Sequence, residues 1–132
     1  MFTIFEKIII GHLVGDYMFQ TKKMALEKSA KNWHGLITCT VHCLIYTAAV
    51  CLFTASTAPL KISLIFLSHF PIDRWSLANK WLDLIKGRNF ITAYKSTNEH
   101  REIDLIFSAI VYVVVDNTMH ILLLAVIFYY FQ

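Results

Sequence analysis

Three aspartate–histidine pairs stand four residues apart in otherwise apolar stretches: His12 with Asp16, His69 with Asp73, and Asp116 with His120. Another apolar stretch carries His42 alone. Residues four apart share one face of a helix. Each pair therefore predicts an imidazole and a carboxylate on a single stripe, and turning the stripes inward gathers them among packed helices. Imidazole nitrogen and carboxylate oxygen together suit a divalent ion, with zinc expected first and manganese or iron as alternatives. Buried carboxylates without a cation repel one another and take up protons instead. A bound ion removes that cost and brings the pKa of a coordinated water to about 7. The expected ligands are His12, Asp16, His69, Asp73, Asp116 and His120, holding one or two ions. His42, Asp16 and Asp116 are the expected catalytic groups, His42 as ligand or general base. Gln20 and Asn117 are expected to hydrogen-bond and orient those ligands. A single pair at this spacing is commonly a self-satisfied structural pair; three in one short chain argue for a site.

The elements that must position these groups are apolar and helical. The 132-residue chain is 57% hydrophobic and only 16% charged, against roughly 25% charged in an ordinary soluble domain. So much apolar surface is poorly hidden in a soluble fold of this size. A charge at the bilayer centre costs about 2.5–3.5 kcal/mol on insertion scales, so ionisable residues kept there are read as functional. We therefore expect one all-α domain over residues 1–132, a bundle of four transmembrane helices at about 2–20, 35–58, 62–74 and 103–131. Pro71 is expected to kink or end the third span. Beyond it, RWSLANKWLDLI places Trp75, Leu77, Trp81, Leu82 and Ile85 largely on one face. That pattern predicts an interfacial amphipathic helix between spans three and four. Residues 87–100 read as an exposed loop.

Ten of the twelve Lys and Arg fall in the first and third loops; Lys7 and Lys61 lie on the other side. The positive-inside rule then places both long loops in the cytoplasm and both termini outside a bacterial inner membrane. The histidines and aspartates form a layer in the cytoplasmic half. The basic residues are thus a topology signal, and no nucleic-acid partner is expected. Cys39, Cys43 and Cys51 share one apolar segment and are read as packing residues, not as a disulfide framework. The N-terminal stretch does not read as a signal peptide, since His12 and Asp16 interrupt its apolar run and no small-residue cleavage site follows. His34 and His100 are expected in solvent, and Trp33, Trp75 and Trp81 at the interface.

The blocks GHLVGDYMFQT (Gly11 to Thr21), Met24, Ala25 and Lys28, then His42, SHFPIDRW (Ser68 to Trp75) and DNTMH (Asp116 to His120) resemble a family of small bacterial and phage membrane proteins of unknown function. Its pattern runs G-H-L-x-x-D-Y-x-x-Q, then H-x-x-x-D, then D-Q-x-x-H. The chain departs from it at Asn117, where the pattern has Gln. The resemblance implies no established activity. More loosely, the pattern is similar to bacterial inner-membrane proteins described as metal-dependent hydrolases, which supports a metal by analogy alone.

The function expected is a membrane-embedded metal-dependent hydrolase open to the cytoplasm. Its substrate would be a lipid-linked or small phosphate or ester, its surroundings membrane lipid, with homo-oligomerisation left open. Two alternatives remain. Intramembrane His and Asp also build proton- or ion-coupled transporters, although no inverted repeat or mid-helix break is visible. A phage or bacterial regulatory (exclusion) protein with a structural metal is the other.

Overall fold

The computed structural model describes residues 1–131. Among these the chain is all-helical, without a strand. Helix α1, Ile4–Leu13, runs directly into a π-helical turn, Val14–Met18. Then follow α2, Lys22–Glu27; α3, Trp33–Thr54; α4, Pro59–Arg74; α5, Leu77–Lys86; α6, Phe90–Lys95; and α7, Arg101–Tyr130.

Local chemistry sets most of the boundaries. Thr3 and Glu6 form a reciprocal capping box that starts α1, so two backbone donors at the helix end are satisfied at once. Asn32 starts α3 by accepting from the Gly35 N–H at 2.7 Å. Pro59 begins α4 in its first turn, where its missing N–H costs nothing. The α3–α4 connection is tight, and Ala55 takes a left-handed conformation to make it (φ 54°). Helix α3 therefore stops at Thr54, earlier than the expected 58, and α4 starts earlier than 62.

Pro71 does not end α4, which continues to Arg74. The ring removes the N–H that would bond the Leu67 carbonyl, and the helix closes one turn later with Trp75 N–H on Pro71 O. Helix α5 follows as the expected amphipathic segment, with Ala78 and Leu82 buried and Trp81, Leu84 and Ile85 exposed. Residues 87–100 were expected as loop throughout, but contain α6. Asn89 caps it, its Oδ1 accepting from the N–H groups of Ile91 and Thr92, and Ala93 packs it down. Six residues are too few to show an apolar period in sequence.

Helices α1, α3, α4 and α7 close a four-membered ring: α1 packs on α3, α3 on α4, α4 on α7, and α7 on α1. Gly11 and Gly15 form a small-xxx-small stripe that lets α1 approach the α3 backbone. A Cβ at Gly11 would stand 2.9 Å from Val50 Cα, and one at Gly15 would stand 2.9 Å from Tyr46 Cδ2. One half of the ring is filled by Ile8, Val50, Ile65, Leu124, Ile127 and Phe128. The other half is filled by polar side chains.

Helices α3 and α7 are long and apolar enough to cross a membrane. Much of α7's surface is apolar and exposed, including Ile103, Ile106, Phe107, Ile110, Val114, Leu122 and Val126. Helix α4 has 16 residues, short of the ~20 that a bilayer core requires.

Candidate metal centre

The polar half of the ring is a cluster of buried imidazoles and carboxylates. His12, His42, His69, His120, Asp16 and Asp73 are all buried. Each of the three i,i+4 pairs is realised: His69 Nε2 lies 3.0 Å from Asp73 Oδ2, His12 Nδ1 lies 3.4 Å from Asp16 Oδ2, and His120 Nε2 lies 3.8 Å from Asp116 Oδ2.

Four atoms from three helical segments converge. His42 Nε2 lies 3.1 Å from His69 Nε2, 3.1 Å from Asp16 Oδ1 and 3.0 Å from Asp73 Oδ2. His69 Nε2 lies 3.0 Å from Asp73 Oδ2 and 3.5 Å from Asp16 Oδ1. These are five of the six edges of an N₂O₂ tetrahedron. Tetrahedral ligation at ~2.0–2.2 Å sets edges of about 3.3–3.6 Å. One observed edge, 3.5 Å, lies in that range, and the other four, at 3.0–3.1 Å, lie a few tenths of an ångström below it, so a divalent ion at the centre would spread the four atoms slightly. Hydrogen bonds alone do not account for the convergence. Asp73 Oδ2 sits between two imidazole nitrogens, yet makes no hydrogen bond. Asp16, His42, His69 and Asp73 are therefore close enough to hold a metal ion.

Asp16, Asp116 and His120 make a second, adjacent group. Its edges are longer, and Asp116 is less buried than the rest, with 16% of its side chain exposed.

His12, expected as a ligand, lies outside both groups. The hydrogen bonds around it explain why. The Asn117 amide nitrogen donates to Val113 O at 2.6 Å and to the Tyr17 hydroxyl. Asn117 Oδ1 is then the acceptor facing His12 Nε2 at 2.7 Å, which makes that nitrogen an N–H donor. His12 Nδ1 keeps its lone pair and accepts from the Tyr46 hydroxyl at 3.1 Å. Both ring nitrogens are used by protein. His42, expected as ligand or general base, is among the converging atoms.

Gln20 and Asn117 each contact a histidine of the cluster. Gln20 Nε2 lies 3.0 Å from His42 Nε2, and Asn117 holds His12. Cys39 and Cys43 are buried with their sulfurs 3.9 Å apart, and remain free thiols. His34 is exposed and pairs with Glu27 at 2.8 Å, and His100 is exposed as well.

Sequence reading missed three features. Tyr46 is buried at the centre of the cluster, stacked on His69 with ring centroids 3.6 Å apart. Its spacing of four from His42 was the available signal. Lys28 reaches in from the end of α2 to pair with Asp73 Oδ1 at 2.8 Å. Burial disfavours its ammonium, but Asp73 outweighs that and holds the Lys28 pKa above the usual lysine value. A lone lysine in a basic loop gives no such signal in sequence. The third feature is the π turn that carries Asp16, closed by Phe19 N–H on Val14 O at 3.2 Å. Such turns insert one residue into a helix and recur at functional sites.

Arg74 anchors the first connection over this end of the ring by donating to Ala30 O at 2.8 Å. The cluster is thus closed by the segment carrying Lys28 on one side, and is least covered beside Asp116.

Residues 4–132 match a family model described as a protein of unknown function, DUF3307. No curated protein and no solved structure matches the chain.

Proposed function

Because the chain belongs to the DUF3307 family, whose function is unknown, its activity must be argued from the site, and we propose that it is a membrane-embedded metal-dependent hydrolase. The observation that carries this reading is the N₂O₂ convergence of Asp16, His42, His69 and Asp73 at 3.0–3.5 Å. Asp16, His42, His69 and Asp73 would hold a divalent ion, which would supply Lewis acidity and a more acidic bound water. The chain's own groups supply the rest. Lys28 presents a fixed positive charge beside Asp73, suited to an anionic phosphoryl or carboxyl oxygen. Asp116, on the least covered side, would accept a proton from water.

The proposed substrate is a lipid-linked phosphate or ester. A cavity of about 500 Å³ between α5, α6 and α7 supports that class. Leu82, Phe90, Ile91 and Val113 make it apolar, Arg88 lies in its wall, and Tyr112 leads toward Asp116 one turn on. An acyl chain suits such a lining, and a guanidinium suits an anionic head group.

We also propose four spans in a bacterial cytoplasmic membrane, with the site toward the cytoplasm. The two spanning-length helices, the outward apolar faces and the bias of Lys and Arg to two loops support this. The shorter α1 and α4 would cross with local thinning of the bilayer.

The run of ring nitrogens from His42 through His69 to His120, at 3.1 and 3.0 Å, favours a second reading as a proton-coupled carrier.

One experiment separates them. Detergent-purified protein is analysed for metal and assayed on a long-chain alkyl phosphate and a p-nitrophenyl ester, with His69→Ala and Asp16→Ala alongside. The enzyme reading expects bound metal and turnover in wild type, with both lost in the variants. Metal-free wild type from metal-supplemented buffer, or turnover that survives both substitutions, overturns it.

A further inference from the structure

Two candidate cation positions adjoin each other, and one contact decides between them. His69 Nδ1 lies 3.0 Å from His120 Nδ1, with both side chains buried. We infer that His69 and His120 share a single Nδ1 proton, so that the cluster takes one cation and His120 positions His69 instead of ligating a second ion. The inference rests on the metal reading above and fixes its stoichiometry.

A neutral imidazole carries one N–H and one lone pair on its two nitrogens. A 3.0 Å contact between two such nitrogens needs one donor and one acceptor. His69 Nε2 is among the four converging atoms, so its lone pair must face the ion. His69 Nδ1 therefore bears the hydrogen and donates it to His120 Nδ1. His120 Nδ1 is then the acceptor, and His120 Nε2 carries the remaining hydrogen. A nitrogen bearing a hydrogen does not bind a metal. Two ions, one on each Nε2, would set two N–H groups against each other at 3.0 Å. The alternative is to strip one hydrogen away and bury an extra negative charge, which is costly.

The surroundings agree. His120 Nε2 has no hydrogen-bond partner. Its nearest carboxylate oxygens, Asp73 Oδ1 and Asp116 Oδ2, are each 3.8 Å away, too far for a hydrogen bond. Asp73 Oδ1 is held at 2.8 Å by Lys28. The His120 N–H thus points into the space between two carboxylates, where a substrate oxygen would find a donor. Tyr46 lies flat on the other face of this arrangement and keeps the His69 ring from turning.

The test uses substitutions that copy one nitrogen at a time. In His120→Asn the amide oxygen falls near the position of Nδ1 and still accepts from His69. In His120→Gln the amide falls near Nε2, so it would preserve a metal ligand but not the acceptor. Metal content and affinity for cobalt(II) and zinc(II) are measured on full-length protein in detergent, and circular dichroism reports whether each variant is helical. ¹⁵N spectra of histidine-labelled wild type report which ring nitrogens carry hydrogen. We expect one ion per chain, a protonated His69 Nδ1, and affinity in His120→Asn within about threefold of wild type. His120→Gln should bind roughly 10–100-fold more weakly, the range seen when a ligand loses its orienting partner. Two ions per chain, a protonated His69 Nε2 in the loaded protein, or tighter binding by His120→Gln than by His120→Asn overturns the inference. No ion at all in wild type overturns the metal reading itself, and is distinguished by a stoichiometry of zero instead of two.

Discussion

Tyr46 lies flat against His69, with ring centroids 3.6 Å apart and 15° between the planes, while its hydroxyl donates to His12 at 3.1 Å. One side chain of α3 thus fixes an imidazole from α4 and another from α1. Tyr46→Phe keeps the stacked ring and removes the hydroxyl. His12 Nδ1 then loses its buried donor, which costs about 1–3 kcal/mol. Thermal melting in detergent should show that loss with metal content unchanged. If the ion is lost instead, the hydroxyl has a direct part in binding it.

Lys28 is a positive charge 2.8 Å from a carboxylate of the proposed cation site. Lys28→Met should therefore raise divalent-cation affinity roughly tenfold, or ~1.4 kcal/mol. Without an ion the same variant should be less stable than wild type, because Asp73 is left buried and unpaired. The pH dependence follows from the raised lysine pKa. The pairing is fully present below the unfolded lysine pKa of about 10.4 and is lost only as pH climbs through the higher folded value. Its contribution should be flat from about pH 6 to pH 9. Melting and cobalt titration of both proteins over that range check all three statements, and weaker cobalt binding by Lys28→Met would contradict the first.

Gly15 sits where a Cβ would meet Tyr46, at 2.9 Å from Cδ2 and 3.1 Å from Cα. Gly15→Ala should push the π turn from α3 or tilt the Tyr46 ring, at about 1–3 kcal/mol for overpacking. Because Tyr46 stacks on His69, cation affinity should fall with stability. A variant that melts like wild type and binds metal normally would show that the π turn packs more loosely on Tyr46 than a 2.9 Å approach allows.

The proposed topology puts the α3–α4 connection and the α5–α7 segment on opposite sides of the membrane. In a cysteine-free background, Ser56→Cys should react with an impermeant maleimide from outside intact cells. Asn98→Cys should react only after the cells are opened. Both positions are partly or fully exposed, so accessibility within the fold does not limit labelling. Labelling of both from outside, or of neither, contradicts the arrangement.

The sequence by itself determined the all-helical class of the fold and the residue types of its buried cluster. Apolar runs with few charges specify helices, and an i,i+4 spacing places His69 with Asp73 and Asp116 with His120 on common faces whatever the packing. The amphipathic α5 was legible because its apolar period extends over several turns. Membership of the cluster was legible only as a set of residue types. Which nitrogen faces which oxygen depends on helix rotation and on hydrogen bonds that span up to 105 residues, as between His12 and Asn117. Only the tertiary structure could therefore show that His42 converges with Asp16, His69 and Asp73 while both ring nitrogens of His12 face Asn117 and Tyr46. The same holds for Lys28 and for Tyr46. Their roles come from where α2 and α3 fall against α4; the i,i+4 spacing of Tyr46 from His42 marks a shared face but not the stacking on His69. The π turn at Asp16 was not legible either, since one extra residue in a turn leaves the hydrophobic pattern nearly unchanged while redirecting the Asp16 carboxylate.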